Sequence, residues 1–430
     1  MERRKFIKSS LAASTLAAVP LVACNTKKPF APTRITQLTK PVAIAMWDFS
    51  WLFRHHRLGS FENWDKVLDE LAERGYNAIR MDCFPHLVAA DNEGKVQEEF
   101  YHPKDNWRPA LWGNQYSTYS RPREALLEFL PKCKERGIHV GLSTWMLDHE
   151  TGRCKTIEGL DGFVRVWDET LQFLDNHNLL EGSLYVDLLN EYPLWHGFEW
   201  LKNELKRIVE QKVVAKSNPD ANIPDVGNAK TDEVFHTPTQ ETFYKSFMTN
   251  AIKQLKAKWP NLDFFASLTM NPGTPWQVMD FSEFFVLDTH LWFVNNLDFA
   301  VSTNYWQGIH SMKNDLLFER TYKEMQAYWQ QNKQALISWA DGELWLRADV
   351  SKKHNLVCGN TEGWGAISWN EHPSLDWKFI KEAGDICADL SVKHGFKFIC
   401  TSNFTHPQFP GIWNDVKWHR NITNRIKSGL

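Results

Sequence analysis

The chain has 430 residues, with 49 Lys and Arg against 52 Asp and Glu, which gives a formal net charge of −3 at pH 7. A chain of this length can bury a large core without metals or disulfides, and its balanced charge argues against the basic patch of a nucleic-acid-binding protein. Only the N-terminus has a long apolar stretch, which excludes a transmembrane bundle. The 21 Trp and 27 Phe residues predict either an aromatic core or a groove whose rings stack on sugars.

The first 24 residues have the form of an export signal. A basic start that includes Arg3 and Arg4 is followed by a small, apolar run and then Cys24. The run is too short to span a bilayer, and its basic start resembles a twin-arginine signal. Residues 21–24 (LVAC) resemble a bacterial lipobox, which implies cleavage before Cys24 and acylation of that residue. We therefore expect an exported bacterial protein in the periplasm or at the cell surface. Its lipid is expected to be its only contact with the membrane, which is the outer membrane. Residues 25–38 are expected to form a tether. The alternative is a simple cleaved signal with a chance Cys.

The rest of the chain, residues 39–430, predicts a single α/β domain. Short apolar runs alternate with amphipathic helical patterns, which is typical of parallel strands joined by helices. Eight such units predict a (β/α)8 TIM barrel, and the polar, Pro- and Gly-interrupted residues 211–238 predict a long loop insertion. A doubly wound sheet is the alternative, but no glycine-rich phosphate loop follows any strand. The predicted strands cover residues 42–47, 77–82, 138–143, 184–189, 262–268, 284–288, 335–340 and 365–369, with a ninth candidate at 396–400.

Polar and aromatic residues follow these predicted strands, at the barrel end where catalytic residues lie. Strand one ends at Asp48, strand two carries Arg80, and strand four ends in Asn190-Glu191. An unneeded carboxylate at the end of an apolar strand is costly, so Glu191 is the strongest candidate for chemistry. The other strand ends supply further candidates: Trp145 and His149 after strand three, His290 and Trp292 at strand six, and Trp369 at strand eight.

This ordered set resembles the retaining glycoside hydrolases built on a (β/α)8 barrel, most of all the family 5 cellulases and mannanases. The resemblance implies that Glu191 is the acid/base and that Asn190 binds the sugar 2-hydroxyl. It also implies that Arg80 orients the nucleophile. His290 and Trp292 are similar to that family's His-x-Tyr, with Trp in place of Tyr.

The same resemblance makes Trp369 the floor of the sugar subsite. Trp145, Trp292 and His149 are then further candidates for binding the substrate. Each of these side chains could equally pack in the core.

The pattern departs from the family at predicted strand seven. There the family places a nucleophilic Glu just before a small Phe/Trp-Gly turn, and retaining hydrolysis needs its two carboxyls about 5–5.5 Å apart. Residues 335–343 read ALISWADGE, so the predicted nucleophile is Glu343, with Asp341 and Glu371 as alternatives. The predicted catalytic pair is therefore Glu191 and Glu343.

The sequence thus predicts a lipid-anchored glycoside hydrolase that acts on β-linked carbohydrate with retention, and no nucleic-acid partner. A catalytically inactive carbohydrate-binding lipoprotein on the same barrel is the alternative, because the second carboxylate is out of place. No HExxH or comparable spacing is present, so we expect no metal or cofactor. The six Cys residues after Cys24 are widely spaced and show no CxxC, which predicts isolated buried thiols, with one bridge left open.

Overall fold

The computed structural model describes residues 34–104, 116–193, 197–201, 203, 238–269, 279–305, 315–365, 371–373 and 375–429. All structural statements below concern these residues. The predicted signal with Cys24, most of the tether, most of the predicted insertion and Trp369 lie outside them.

Twelve strands are present in the described part of the chain. They are β1 (Val42–Asp48), β2 (Ala78–Asp82), β3 (Phe100–His102), β4 (Thr118–Ser120), β5 (His139–Ser143), β6 (Ser183–Asp187), β7 (Phe264–Phe265), β8 (Leu268–Thr269), β9 (Val286–Trp292), β10 (Val357–Asn360), β11 (Gly363–Trp364) and β12 (Phe398–Cys400).

These strands form a closed parallel barrel. Its eight positions are filled by β1, β2, β5, β6, the pair β7 and β8, β9, the pair β10 and β11, and β12. The ring closes because β12 pairs with β1, while β7 pairs with β6 and β8 pairs with β9. The (β/α)8 barrel is therefore confirmed, and β3 and β4 form a separate antiparallel hairpin.

Helices follow most strands and cover the outside of the barrel. The helix Trp64–Glu73 illustrates the local rules: the Asn63 side chain caps it by accepting a hydrogen bond from the Lys66 amide at 2.9 Å, and its apolar face is buried. None of the described helices is both long and apolar enough to cross a membrane. The α-helices are Ser50–Phe53, Trp64–Glu73, Pro85–Val88, Pro122–Glu135, Gly159–Asn176, Pro238–Lys258, Leu297–Ser302, Asp315–His354, Lys378–Lys393, Pro410–Trp413 and Val416–Ser428.

The predicted seventh strand, residues 335–340, is wrong. These residues lie inside the helix Asp315–His354, whose buried positions Leu336, Ala340 and Leu344 recur every four residues, as on one face of a helix. The seventh barrel position belongs to β10. The eighth belongs to β12, at the site of the ninth candidate, rather than to residues 365–369.

The core is rich in aromatic rings and buried thiols. Eight Trp side chains are fully buried, so a large share of the Trp residues pack inside the protein. The six Cys residues after Cys24 are all described, and all are buried thiols outside any disulfide. The strands of the first two barrel positions are buried along their whole length, as expected for strands covered on both faces.

Candidate active site

Glu191 lies just after β6, at the C-terminal end of the barrel. Its backbone is left-handed, with a φ of 48°, a conformation that costs a residue other than glycine about 1–3 kcal/mol. Neighbouring bonds hold it there: the Glu191 amide donates to Ser267 Oγ at 3.1 Å, and the Tyr192 amide donates to the Ser267 carbonyl at 2.8 Å. Glu191 is only 7% exposed, so its carboxylate belongs to an enclosed site.

The second carboxylate is Glu362, which the sequence analysis missed. It follows β10 by two residues and is 1% exposed. A carboxylate oxygen of Glu362, a carboxylate oxygen of Glu191 and a ring nitrogen of His290 all lie within 4.8 Å of one another. A signal was present in the sequence, because Gly363-Trp364-Gly365 after Glu362 is the aromatic-Gly turn that the resemblance led us to expect after the nucleophile.

Arg80 contacts both this second carboxylate and Asn190, and the sequence analysis had already selected Arg80 and Asn190 as site residues. Its Nη1 donates to Glu362 Oε1 at 2.5 Å, and its Nη2 donates to Asn190 Oδ1. Asp48 and Asp187 complete its surroundings, at 3.7 and 3.6 Å from guanidinium nitrogens. Burial alone would lower the pKa of Arg80, but these carboxylates raise it well above its usual range. Arg80 is therefore a fixed buried cation beside Glu362.

His290, on β9, lies between the two carboxylates. Its Nδ1 is 3.0 Å from Glu191 Oε1 and 3.6 Å from Glu362 Oε1, and its Nε2 is 3.2 Å from Thr361 Oγ1. Burial favours the neutral ring, but Glu362, Asp288 and Glu191 more than offset this effect and raise the pKa of His290 well above its usual value. His290 is thus a second cation, and it can donate a hydrogen bond to Glu191.

Burial dominates the ionisation of Glu362. Removal from water raises the pKa of Glu362 to about 7, while His290 and Arg80 favour its charged form and oppose that rise. The free protein therefore holds Glu362 near the midpoint of its titration at neutral pH. A positively charged transition state or substrate group would favour the ionised form.

The arrangement has the parts that double displacement at a sugar carbon needs. Two carboxylates face each other at a separation close to that of retaining glycosidases. The same three ligand atoms could geometrically hold a metal ion. Two features oppose an added cation: the Arg80 guanidinium already places a fixed positive charge against Glu362, and His290 would have to lose its proton to become a ligand.

The three nucleophiles predicted from the sequence lie elsewhere. Glu343 is on the outer helix Asp315–His354 and forms an ion pair with Arg347 at 2.9 Å. Asp341, on the same helix, pairs with Lys393 at 3.0 Å. Glu371 is exposed and accepts a hydrogen bond from the Gly411 amide at 2.9 Å. The placement of Glu343 outside the barrel removes the geometric basis for its pairing with Glu191.

The structure packs the other predicted sugar-binding side chains closely. Trp292 is 1% exposed at the end of β9, and its indole N–H has no hydrogen-bond partner among the described residues. Trp145 is 2% exposed and meets Phe49 edge-on at 6.0 Å. His149 meets Phe49 edge-on at 5.3 Å, and burial lowers its pKa well below the usual value. Like the Trp292 indole, the His149 ring has a nitrogen, Nε2, without a hydrogen-bond partner among the described residues.

With this geometry in place, the chain can be compared with known proteins. The profile of the sugar-binding cellulase-like family matches residues 44–427. The chain belongs to this family. No curated protein sequence matches the chain significantly.

Among solved structures, the chain is similar to a candidate glycoside hydrolase from Parabacteroides distasonis, with 28% identity and a TM-score of 0.72 over 91% of this chain and 94% of that one. An endo-β-1,4-mannanase from Thermotoga petrophila is 11% identical, with a TM-score of 0.47 over 92% and 79% of the two chains. A broad-specificity endoglucanase from Clostridium acetobutylicum is 10% identical, with a TM-score of 0.47 over 88% and 96%. The family match and the Parabacteroides distasonis structure together show that this chain has a glycoside hydrolase fold.

Proposed function

We propose that this protein is a glycoside hydrolase that cleaves β-linked sugars with retention, with Glu362 as the nucleophile and Glu191 as the acid/base. The observation that carries the proposal is the pair of buried carboxylates, whose oxygens lie within 4.8 Å across the barrel mouth. Carboxyls this close suit a retaining pair, whereas those of an inverting enzyme stand about 6.5–9.5 Å apart.

In the first step, the Glu362 carboxylate attacks the anomeric carbon and forms a covalent glycosyl ester. The bond from this carbon to the glycosidic oxygen breaks, and protonated Glu191 donates its proton to that oxygen. In the second step, Glu191 removes a proton from water, whose oxygen attacks the anomeric carbon and releases Glu362. His290, 3.0 Å from Glu191, helps to position the acid/base in both steps.

Arg80 and Asn190 support the nucleophile and the substrate. The Arg80 hydrogen bond to Glu362 at 2.5 Å fixes the attacking oxygen and favours its charged form. Asn190 Oδ1 accepts from Arg80, which leaves its Nδ2 without a partner among the described residues. This N–H donor is suited to a sugar hydroxyl, in line with the 2-hydroxyl role that the resemblance implies.

The test is hydrolysis of β-linked polysaccharides and para-nitrophenyl β-D-glycosides by the wild type and by three Glu→Gln variants. We expect turnover by the wild type, its loss in Glu191→Gln and Glu362→Gln, and wild-type rates in Glu343→Gln, the matched control on the outer helix. Loss of activity in Glu343→Gln with retention in Glu362→Gln would contradict the assignment. If no protein hydrolyses a substrate but the wild type is retained on a polysaccharide affinity gel, the barrel is a sugar-binding protein.

Activity is also expected to persist in EDTA, because Arg80 and His290 supply the positive charge at the carboxylates. Inactivation by EDTA, with recovery on addition of a divalent ion, would contradict this electrostatic account.

We also propose that the protein is exported and anchored by a lipid on Cys24. The basic start, the short apolar run and residues 21–24 support this proposal. Metabolic labelling with an alkyne fatty acid is expected to mark the wild type and not Cys24→Ala. Equal labelling of both proteins, or of neither, would contradict the anchor.

A further inference from the structure

Asp48, at the end of β1, is a third buried carboxylate in the candidate site. It is 0% exposed, and its Oδ1 is 3.7 Å from Arg80 Nη1, the nitrogen that also donates to Glu362. Burial raises the pKa of Asp48 above its usual value, although Arg80 and the Trp145 indole favour its charged form, and neither Asp48 oxygen meets hydrogen-bond geometry with any described group. A buried carboxylate without hydrogen bonds is costly, so its retention here calls for a partner that arrives from outside.

Asn403, three residues after β12, is a second buried polar side chain of this kind. Both its amide oxygen and its amide nitrogen lack a hydrogen-bond partner among the described residues, although the residue is 1% exposed. Its backbone amide donates to the carbonyl of Gly363, the residue after Glu362, at 2.8 Å. The Trp47 indole, next to Asp48 in sequence, donates to the Thr405 carbonyl at 2.8 Å. Asn403 therefore lies where the segments that carry Asp48 and Glu362 meet.

Asp48 and Asn190 approach Arg80 from different sides. Asp48 lies against Nη1 and Asn190 against Nη2. A sugar whose 2-hydroxyl meets Asn190 would therefore present a different hydroxyl to Asp48. A carboxylate accepts hydrogen bonds from two hydroxyl groups, and an amide both donates and accepts, which is the set of groups that recognises neighbouring hydroxyls.

We propose that Asp48 and Asn403 determine sugar specificity by binding hydroxyl groups of the hexopyranose whose bond is cleaved, at its 3-, 4- or 6-position. This proposal rests on the proposed function, because the sugar is the substrate of the Glu191 and Glu362 pair. Neither side chain has a hydrogen-bond partner among the described residues, although Asp48 forms an ion pair with Arg80, and both acquire hydrogen bonds from the substrate.

The test uses a para-nitrophenyl β-D-glycoside that the wild type hydrolyses, together with its 2-, 3-, 4- and 6-deoxy analogues. The wild type is expected to lose about tenfold or more in kcat/KM on at least one of the 3-, 4- or 6-deoxy analogues, as expected when a buried hydrogen-bonding group is left unpaired. On the parent glycoside, kcat/KM of Asp48→Asn or Asn403→Leu is expected to fall below that of the wild type by a comparable factor. For these variants, kcat/KM on the deoxy analogue is expected to be no lower than on the parent.

Thermal melting separates this role from a structural one. The matched control is Asp82→Asn, since Asp82 is buried at the end of β2 but accepts backbone hydrogen bonds from Phe84 at 2.7 Å and Trp145 at 2.9 Å. Asp82→Asn is expected to melt below the wild type, whereas Asp48→Asn is expected to melt at or above it. The acid limb of the pH profile is also expected to move to lower pH in Asp48→Asn, because the Asp48 charge raises the pKa of Glu362.

Two results would overturn this proposal and leave the proposed function intact. One is a ratio of kcat/KM between parent and deoxy analogue that is the same in Asp48→Asn and Asn403→Leu as in the wild type. The other is a fall in the melting temperature of Asp48→Asn like that of Asp82→Asn. If the wild type hydrolyses none of the parent glycosides, the proposed function fails first and this proposal fails with it.

Discussion

Replacing Glu362 by Gln is expected to abolish activity and, at alkaline pH, to stabilise the fold. Burial raises the pKa of Glu362 from its ordinary value of 4.5 to about 7, so the folded protein binds this proton more tightly than the unfolded chain does. Stability therefore falls as the pH rises from 4.5 through 7. Since a tenfold change in proton affinity is worth about 1.4 kcal/mol, the wild type loses about 3 kcal/mol across this window. Gln has no proton to lose and avoids that cost.

Urea unfolding of the two proteins at pH 5 and pH 9 tests this reasoning. The free energy of unfolding of Glu362→Gln is expected to exceed that of the wild type by up to about 3 kcal/mol at pH 9, and the gain is expected to shrink towards pH 5. In the same samples, kcat/KM on para-nitrophenyl β-D-glycosides is expected to fall by at least about 10³-fold, as for the loss of a nucleophile. A Glu362→Gln variant that is less stable than the wild type by the same amount at pH 5 and pH 9 would refute the reasoning. In that case the stabilisation from the Arg80 contact with Glu362 would exceed the cost of burying the Glu362 charge.

Three further predictions follow from the same packing and electrostatics. The wild-type kcat/KM is expected to rise with pH through about 7 as Glu362 ionises, and a profile that is flat between pH 5 and pH 8 would contradict this role. Gly359→Ala is expected to cost about 1–3 kcal/mol, because its Cβ would overlap the Phe398 ring. The control is Gly342→Ala, which lies in open space on a helix. Its free energy of unfolding in urea is expected to rise by about 0.5–1 kcal/mol. A Gly359→Ala variant that is more stable than Gly342→Ala would disprove the packing argument. Arg80→Met is expected to cost about 3–5 kcal/mol, since it leaves buried carboxylates unpaired, and an unchanged unfolding midpoint would count against the network.

The first four strands could be predicted because each is a short, mostly apolar run beside amphipathic helices. β10 could not be found in this way, because Val357–Asn360 is short and includes Gly359 and a polar Asn. Gly359 is needed there, since the Phe398 ring fills the space of a side chain. The run at residues 335–340 has the composition of a strand. What identifies it as helical is the four-residue spacing of its buried positions, which continues along a long helix.

The candidate site was predicted in part, since the structure brings Arg80, Asn190, Glu191 and His290 together. Glu362 was missed because the nucleophile was sought after a strand that does not exist. The aromatic-Gly turn that follows Glu362 was the better guide, since it depends on local sequence and not on the strand count. Burial and unpaired side-chain atoms, which single out Asp48, come from tertiary packing that no sequence pattern reports.

The central claim is that Glu191 and Glu362 carry out two successive displacements at one carbon. The most direct measurement is proton NMR of the anomeric configuration of the first-formed product from a β-glycoside, recorded before mutarotation. The account predicts that the β-anomer appears first, because two inversions restore the configuration. Initial release of the α-anomer would contradict the assignment of Glu362 as a nucleophile.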